Sequence, residues 1–249
     1  KKHTVYALDL LGFGFSKKAY TQYQIKLWAE LVYDFWQTFI NQPIIFIGNS
    51  IGSLISLYAT VNYPEMVKGL VMLSIPDPNQ RQTLIPPKIR PLVNTLENLV
   101  ASPLLIRILF AIARRPSIIR RSLKFAYIDQ QAVTDELVEI ICNPTHDQGA
   151  ARTLIAFTKS TNKASFSPSV SQLFSKLEVP SLLIWGKEDR LVPPTYIPKL
   201  SQQNPQIELQ LLERVGHCPH DECPDDFHQI FSHWLNQNFI DDENHIENW

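Results

Sequence analysis

Apolar and β-branched runs alternate with helical patterns along most of the chain. Short runs rich in Val, Ile and Leu predict strands at Thr4–Leu8, Pro43–Ile47, Gly69–Leu73, Pro180–Trp185 and Ile207–Leu211. Several are apolar on both faces, as parallel strands covered by helices on each side should be. Between the first two, Ile25, Trp28, Leu31, Val32, Phe35, Trp36 and Phe39 recur at spacings of three and four. That period predicts one helix over Gln22–Ile40 with a single apolar stripe. Further helices are predicted over Ile51–Asn62, stopping before Pro64, over Ser169–Lys176, and over Pro224–Asn238. Strands separated by helices at this spacing define an α/β fold with a mostly parallel sheet.

The alternation breaks between Pro76 and Pro168, where prolines and short helical patterns such as Leu104–Phe110 replace strand patterns. The organisation expected is therefore a first core part over 1–76, an all-helical cap over 77–168, a second core part over 169–239 and an acidic tail over 240–249. The first half of the cap is strongly basic, with Arg81, Lys88, Arg90, Arg107, Arg114, Arg115, Arg120, Arg121 and Lys124 against Glu97 alone. The tail carries Asp241, Asp242, Glu243 and Glu247.

Composition narrows the function classes. The 249 residues are 45% hydrophobic, enough for one large core or two small ones. With 23 basic against 24 acidic residues and a formal net charge of −1, bulk charge gives no support to nucleic-acid binding. Three cysteines make a disulfide scaffold a poor reading and favour a reducing compartment. No apolar run reaches the roughly 18–20 residues of a spanning helix, and the N-terminus has no signal- or transit-peptide character. The chain opens at Lys1 with a strand pattern already under way, which reads as the interior of a longer protein.

Chemistry concentrates at Gly48-Asn49-Ser50-Ile51-Gly52, between a predicted strand and a predicted helix. This is G-x-S-x-G in the context it requires: a turn so tight that small residues must flank the serine, with glycine at 48 and 52 allowing close approach. Ser50 is then exposed at the strand end. The backbone amide of Ile51, at the helix N-terminus, is an oxyanion donor. A serine needs a base, and among the seven histidines His217 stands out just after the last strand. Asp189 follows the Pro180–Trp185 strand and is preferred to Glu188 as the orienting acid. The order Ser50, Asp189, His217 is that of a Ser-Asp-His hydrolase. The cluster His217, Cys218, His220 and Cys223 matches no metal-ligand spacing, so no metal and no cofactor is expected, and His220 reads as a residue that shapes the loop.

Taken together, Leu8-Asp9-Leu10-Leu11-Gly12-Phe13-Gly14-Phe15-Ser16, the Ser50 elbow and the Gly186–Pro194 loop resemble the α/β-hydrolase superfamily across nearly the whole chain. Within it, Gly216-His217-Cys218-Pro219-His220-Asp221-Glu222, with Pro224 two residues on, is similar to pheophytinase and its cyanobacterial and plastid relatives, which hydrolyse phytyl esters. The resemblance implies a serine ester hydrolase acting on a bulky hydrophobic ester, located in the cytoplasm or the plastid stroma and not secreted. It implies that Asp9–Ser16 closes the floor of the pocket. It also implies three strands ahead of Thr4–Leu8, in roughly 50 upstream residues, with a His-Gly pair supplying the second oxyanion amide. Cleavage of other ester, amide or C–C bonds by the same triad is the alternative, as is a hydrolase-derived receptor without catalysis. The partners expected are a small hydrophobic ester and, through the basic cap, an anionic lipid surface. A solvated basic face is the plainer reading of that charge.

Overall fold

The computed structural model describes residues 3–78, 103–195, 201–202 and 204–239. Four parallel strands, β1 (Ile44–Asn49), β2 (Val67–Leu73), β3 (Ser181–Gly186) and β4 (Ile207–Leu212), form one sheet in the order β1-β2-β3-β4. Each begins and ends within two residues of its predicted bounds. Because the strands run parallel, the loops that leave β1, β3 and β4 all emerge at one edge of the sheet.

The first predicted strand is not formed. Thr4–Leu8 joins no ladder among the described residues, and Val5, Tyr6 and Leu8 are exposed. An extended run becomes a strand only where a neighbouring backbone completes its hydrogen bonds, and pattern alone cannot supply that neighbour.

The helices are α1 (Ile25–Phe39), α2 (Ile51–Asn62), α3 (Pro103–Ala113), α4 (Pro116–Ala126), α5 (Asp135–Cys142), α6 (Ala150–Thr161), α7 (Val170–Phe174), the single turn α8 (Pro219–Glu222) and α9 (Pro224–Phe239), with short 3-10 turns between some of them. In α1 the buried face is Ile25, Trp28, Val32 and Trp36, narrower than the predicted stripe: Leu31 and Phe39 are exposed. Ser169 caps α7, accepting from Gln172 N while the Gln172 side chain accepts from Ser169 N, which explains why this helix starts one residue later than its apolar pattern. The first part of the basic run, from Arg81 to Glu97, and the acidic tail lie outside the described residues.

The chain folds as two compact units. One comprises Lys1–Trp28, Pro78–Ser122 and Val133–Ser167. Its centre is an aromatic cluster of Phe13, Tyr23, Trp28, Phe157 and Phe166, with ring centroids 5.2–6.3 Å apart, mostly edge to face. Lys18, its side chain buried, ties the Asp9–Ser16 loop to this unit by donating to the Gly14 and Ser16 carbonyls and pairing with Asp147 at 3.0 Å.

The other unit comprises Ala29–Asp77, Leu123–Ala132 and Pro168–Trp249, and contains the whole sheet. Alternation along β2 and β3 sends Val71, Leu73, Leu182 and Ile184 to one face, where they meet Trp234, Phe227, Ile230, Phe231 and Phe239 from α9. Leu70, Met72, Leu183 and Trp185 face the opposite way and are equally buried. Burial on both sides is why these strands read as unbroken apolar runs. Trp234, 2% exposed, is the largest side chain of the α9 face. Trp234→Ala should lower the stability of this unit by about 3–5 kcal/mol, measured as the shift in urea-unfolding midpoint at constant slope.

Candidate active site

β1 runs into α2 with a single residue between them. Asn49 ends the strand, Ile51 begins the helix, and Ser50 makes the whole turn at φ 53° and ψ −122°. This is the positive-φ half of conformational space, which a side-chain-bearing residue enters at a cost on the order of 1–3 kcal/mol. The surroundings impose it. Ser50 N donates to the Leu73 carbonyl at the end of β2 (2.8 Å), and the Ser50 carbonyl accepts from Ser53 N (2.9 Å). The buried Ser53 hydroxyl lies 2.6 Å from the Gly48 carbonyl oxygen and 2.8 Å from that of Leu73, and accepts from Leu73 N at 2.9 Å. At about 1 kcal/mol net apiece, these bonds offset the strain at Ser50.

The two flanking glycines prove unlike. A Cβ on Gly48 would lie 2.4 Å from the Gly52 carbonyl carbon and 2.6 Å from Ser53 N, so no side chain fits there. A Cβ on Gly52 would meet nothing within 4 Å. The expectation of close approach therefore holds at 48 and fails at 52 among the described residues. The amide of Ile51 belongs to the first helical turn, where N–H groups have no partner within the helix.

Asp189 and His217 stand on the loops that leave β3 and β4, and those loops are laced together. Lys187 N donates to the Leu212 carbonyl (2.9 Å), Glu188 N to the Val215 carbonyl (3.2 Å), and Val215 N to Glu188 Oε2 (3.2 Å). Glu188 is thereby occupied with backbone. Asp189 is nearly fully buried: Oδ1 accepts from Leu191 N (2.8 Å) and Val192 N (2.9 Å), while Oδ2 lies 2.8 Å from Nδ1 of the buried His217. An acceptor at Nδ1 fixes the proton there and leaves Nε2 with a free lone pair, the state a general base requires. The Trp185 indole N–H, donating to the Val192 carbonyl at 2.9 Å, braces the far side of the Asp189 loop.

Ser50 is joined to this pair through its neighbours. Asn49 Nδ2 donates to Cys218 Sγ at 3.7 Å, so the residue before the serine touches the residue after the histidine. The half-buried Ser50 hydroxyl forms no hydrogen bond of its own among the described residues. His220, one turn further on, packs its ring edge-on to Phe227, and its Nδ1 is buried without a partner among the described residues. Burial lowers its pKa, and nearby His217 acts in the same direction against Asp221 and Glu222.

Sequence reasoning did not find four residues that brace the backbone around these three. Ser53 carries no motif signal. Asp221 Oδ2 accepts from the Tyr127 hydroxyl at 2.7 Å, and Glu222 accepts from backbone on two separate segments. The only sequence signal for the two acids was their place in the Gly216–Glu222 motif. Tyr127 lies about ninety residues away along the chain, and nothing local marks it.

Comparison with known proteins sets these residues in context. The profile of the alpha/beta hydrolase family matches residues 1–230. The chain is 25% identical over 236 residues to chloroplastic pheophytinase of Arabidopsis thaliana, covering 90% of this chain and 48% of that protein. It is 29% identical over 193 residues to a 2-hydroxy-6-oxononadienedioate/2-hydroxy-6-oxononatrienedioate hydrolase of Comamonas testosteroni, covering 74% of this chain and 59% of that one. The chain thus spans about half to three-fifths of the length of these relatives. A solved meta-cleavage product hydrolase of Pseudomonas fluorescens superposes with a TM-score of 0.69 at 18% identity, over 92% of this chain and 78% of that one, and shows the same fold.

The thiols beside the site supply a check on this packing. Burial pushes the Cys218 thiol up to about 11, with Asp221 and Glu222 adding to the effect, and burial likewise pushes Cys223 up to about 11, aided by Asp226 and Glu222. A folded-state value above the ordinary 9.0 means that their contribution to stability is complete below about 9 and is lost as pH climbs through about 11. At pH 8 both should be inert to Ellman's reagent in the folded protein and should react within seconds in guanidinium. Rapid labelling of either in the native state would show that the loop is not packed as described.

Proposed function

We propose, from the premise that the chain belongs to the alpha/beta hydrolase family, that it is a serine hydrolase cleaving the carboxylic ester of a bulky, hydrophobic substrate. The observation that carries this reading is the buried His217–Asp189 hydrogen bond at the sheet edge where β1 delivers Ser50. In the reaction Ser50 Oγ attacks the ester carbonyl while His217 Nε2 takes its proton. Asp189, held by two backbone amides, keeps the ring in the required tautomer and stabilises the imidazolium that forms. The Ile51 amide donates to the developing oxyanion. His217 then returns the proton to the departing alcohol. Water, activated by the same nitrogen, cleaves the acyl-enzyme. None of these steps calls on a metal or cofactor.

The similarity to pheophytinase supports a long isoprenoid-type ester, such as a phytyl ester, as the substrate class. The surface of α3 agrees with a substrate met at lipid. Leu104, Ile108 and Ile112 recur every fourth residue on its outward side, 69%, 51% and 42% exposed, opposite the buried Ile106. Exposed Arg107 and Arg115 flank that face, and no acidic residue occurs between Pro103 and Ala126. Each such cation near an anionic bilayer contributes on the order of 1 kcal/mol. No helix among the described residues is long and apolar enough to cross a membrane, so the contact proposed is peripheral.

A second reading, hydrolysis of a C–C bond by the same triad, is favoured by the similarity to the Comamonas testosteroni hydrolase. Ser50→Ala should abolish both ester turnover and fluorophosphonate labelling while leaving the thermal transition unchanged, since it removes only a hydroxyl. Labelling of another serine would reject Ser50 as the nucleophile, and a protein inert to the probe would leave a binding-only role. Ester rates should rise with chain length and rise further on vesicles containing anionic lipid. Best activity on short soluble esters, indifferent to vesicles, would reject the hydrophobic substrate and the lipid contact. Turnover of vinylogous 1,5-diketones in place of esters would select C–C cleavage.

A further inference from the structure

The loop carrying His217 has three consecutive backbone N–H groups, at Gly216, His217 and Cys218, and none of them belongs to a strand ladder or is bonded within a helix of its own. Glu222 Oε1 takes the first at 3.0 Å and the third at 3.3 Å. The middle one donates to the Ala126 carbonyl at 3.0 Å. Ala126 ends α4, and the turn that follows is held by the other oxygen of the same carboxylate: Glu222 Oε2 accepts from Ile128 N at 2.6 Å and from Asp129 N at 3.2 Å. One side chain therefore determines, directly or through the 126–129 turn, the acceptor of every N–H around the histidine.

The sequence is arranged so that this can happen. Pro219 starts α8, a single turn that brings Glu222 back beneath Gly216. A Cβ on Gly216 would lie 2.3 Å from the Ala126 oxygen and 2.9 Å from Glu222 Oε1, so the approach requires glycine. Tyr127 adds a second fastening through Asp221, and Gln130 donates to the Tyr127 carbonyl at 2.9 Å. A buried backbone with three N–H groups and no ladder needs external acceptors, and one carboxylate with four acceptor positions is an economical source.

Resting on the serine-hydrolase reading, we propose that Glu222 is the positioning residue of this site. It sets the backbone of His217 so that Nδ1 meets Asp189 while Nε2 is left to serve Ser50. It touches neither substrate nor Ser50, and its effect passes through the placement of the imidazole. A displacement of about 1 Å at a catalytic base costs up to about a hundredfold in rate.

The test compares Glu222→Gln, Glu222→Ala and Tyr127→Phe with the unaltered protein. For Glu222→Ala, kcat on a chromogenic ester should fall by about thirtyfold to a hundredfold with KM nearly unchanged. Glu222→Gln, which keeps one acceptor oxygen and nearly the same shape, should retain more of the rate than Ala. Tyr127→Phe, which spares the carboxylate, should stay within about threefold of the unaltered rate.

An independent readout is the downfield proton resonance of His217 Nδ1–H bonded to Asp189. It should be sharp in the unaltered protein and in Tyr127→Phe, and broadened or lost in Glu222→Ala. Circular dichroism and the thermal transition of Glu222→Gln show whether the fold survives. Unaltered kcat in the Gln and Ala variants, a loss confined to KM, or a persistent resonance in Glu222→Ala would overturn the positioning role. If the unaltered protein turns over neither ester nor vinylogous 1,5-diketone but its resonance vanishes in Glu222→Ala, the hydrolase reading fails and the positioning of His217 stands.

Discussion

Everything at the sheet edge depends on two loops lying backbone against backbone where β3 and β4 end. A Cβ on Gly186 would sit 2.1 Å from the Val215 carbonyl oxygen and 2.2 Å from that of Gly216. Nothing larger than hydrogen can occupy that position. The closeness is what allows Asp189, three residues after Gly186, to reach Nδ1 of His217, one residue after Gly216. Parallel strands make the arrangement economical, since β3 and β4 pair in register to their last residues, Gly186 opposite Leu212. Their loops therefore leave at the same height, and a short carboxylate meets an imidazole without any long reach.

Strain and its compensation are divided between the two sides of the site. At Ser50 the backbone is forced to positive φ and is held there by β2 through Leu73 and by α2 through Ser53. At His217 the backbone is not bent into an unfavourable region, but it is cut off from any ladder and must borrow acceptors from Glu222 and Ala126. The first problem is conformational and the second is one of hydrogen-bond satisfaction. Both are solved by groups other than Ser50, Asp189 and His217. Asn49 and Cys218 bring the two halves into contact.

The division of the chain is uneven with respect to sequence. The segment Leu123–Ala132 groups with the sheet, although the chain on either side of it belongs to the other unit. The reason is local and polar. Ala126, Tyr127, Ile128 and Asp129 all bond to the histidine loop or to α8, so this stretch, although it continues α4, is also fastened to the site. The adjoining stretch is held differently: Arg120 donates to the Val133 carbonyl at 3.0 Å and pairs with Asp135 within the other unit.

What was legible in the sequence was whatever a local pattern determines. Apolar and β-branched runs located the four strands, most plainly β2 and β3, whose burial on both faces calls for apolar residues throughout, and the three-and-four spacing located α1 because a helix repeats every 3.6 residues. Ser50 could be singled out because a strand, a turn of one residue and a helix must be written in consecutive positions. Asp189 and His217 could be singled out because each follows a strand at short range. Tertiary structure alone decided the rest. Thr4–Leu8 has a strand's pattern but gains no ladder, since pairing belongs to two segments and pattern to one. Leu31 and Phe39 share the period of α1 yet stay exposed, since a stripe marks what can be buried and neighbours decide what is. Glu188 and Asp189 are adjacent carboxylates of nearly equal chemistry, and only the lacing of two loops turns one to backbone and the other to the imidazole. Glu222, Tyr127 and Ser53 act through partners from 4 to 94 residues away, and at the longer separations a sequence holds no geometry until the chain has closed upon itself.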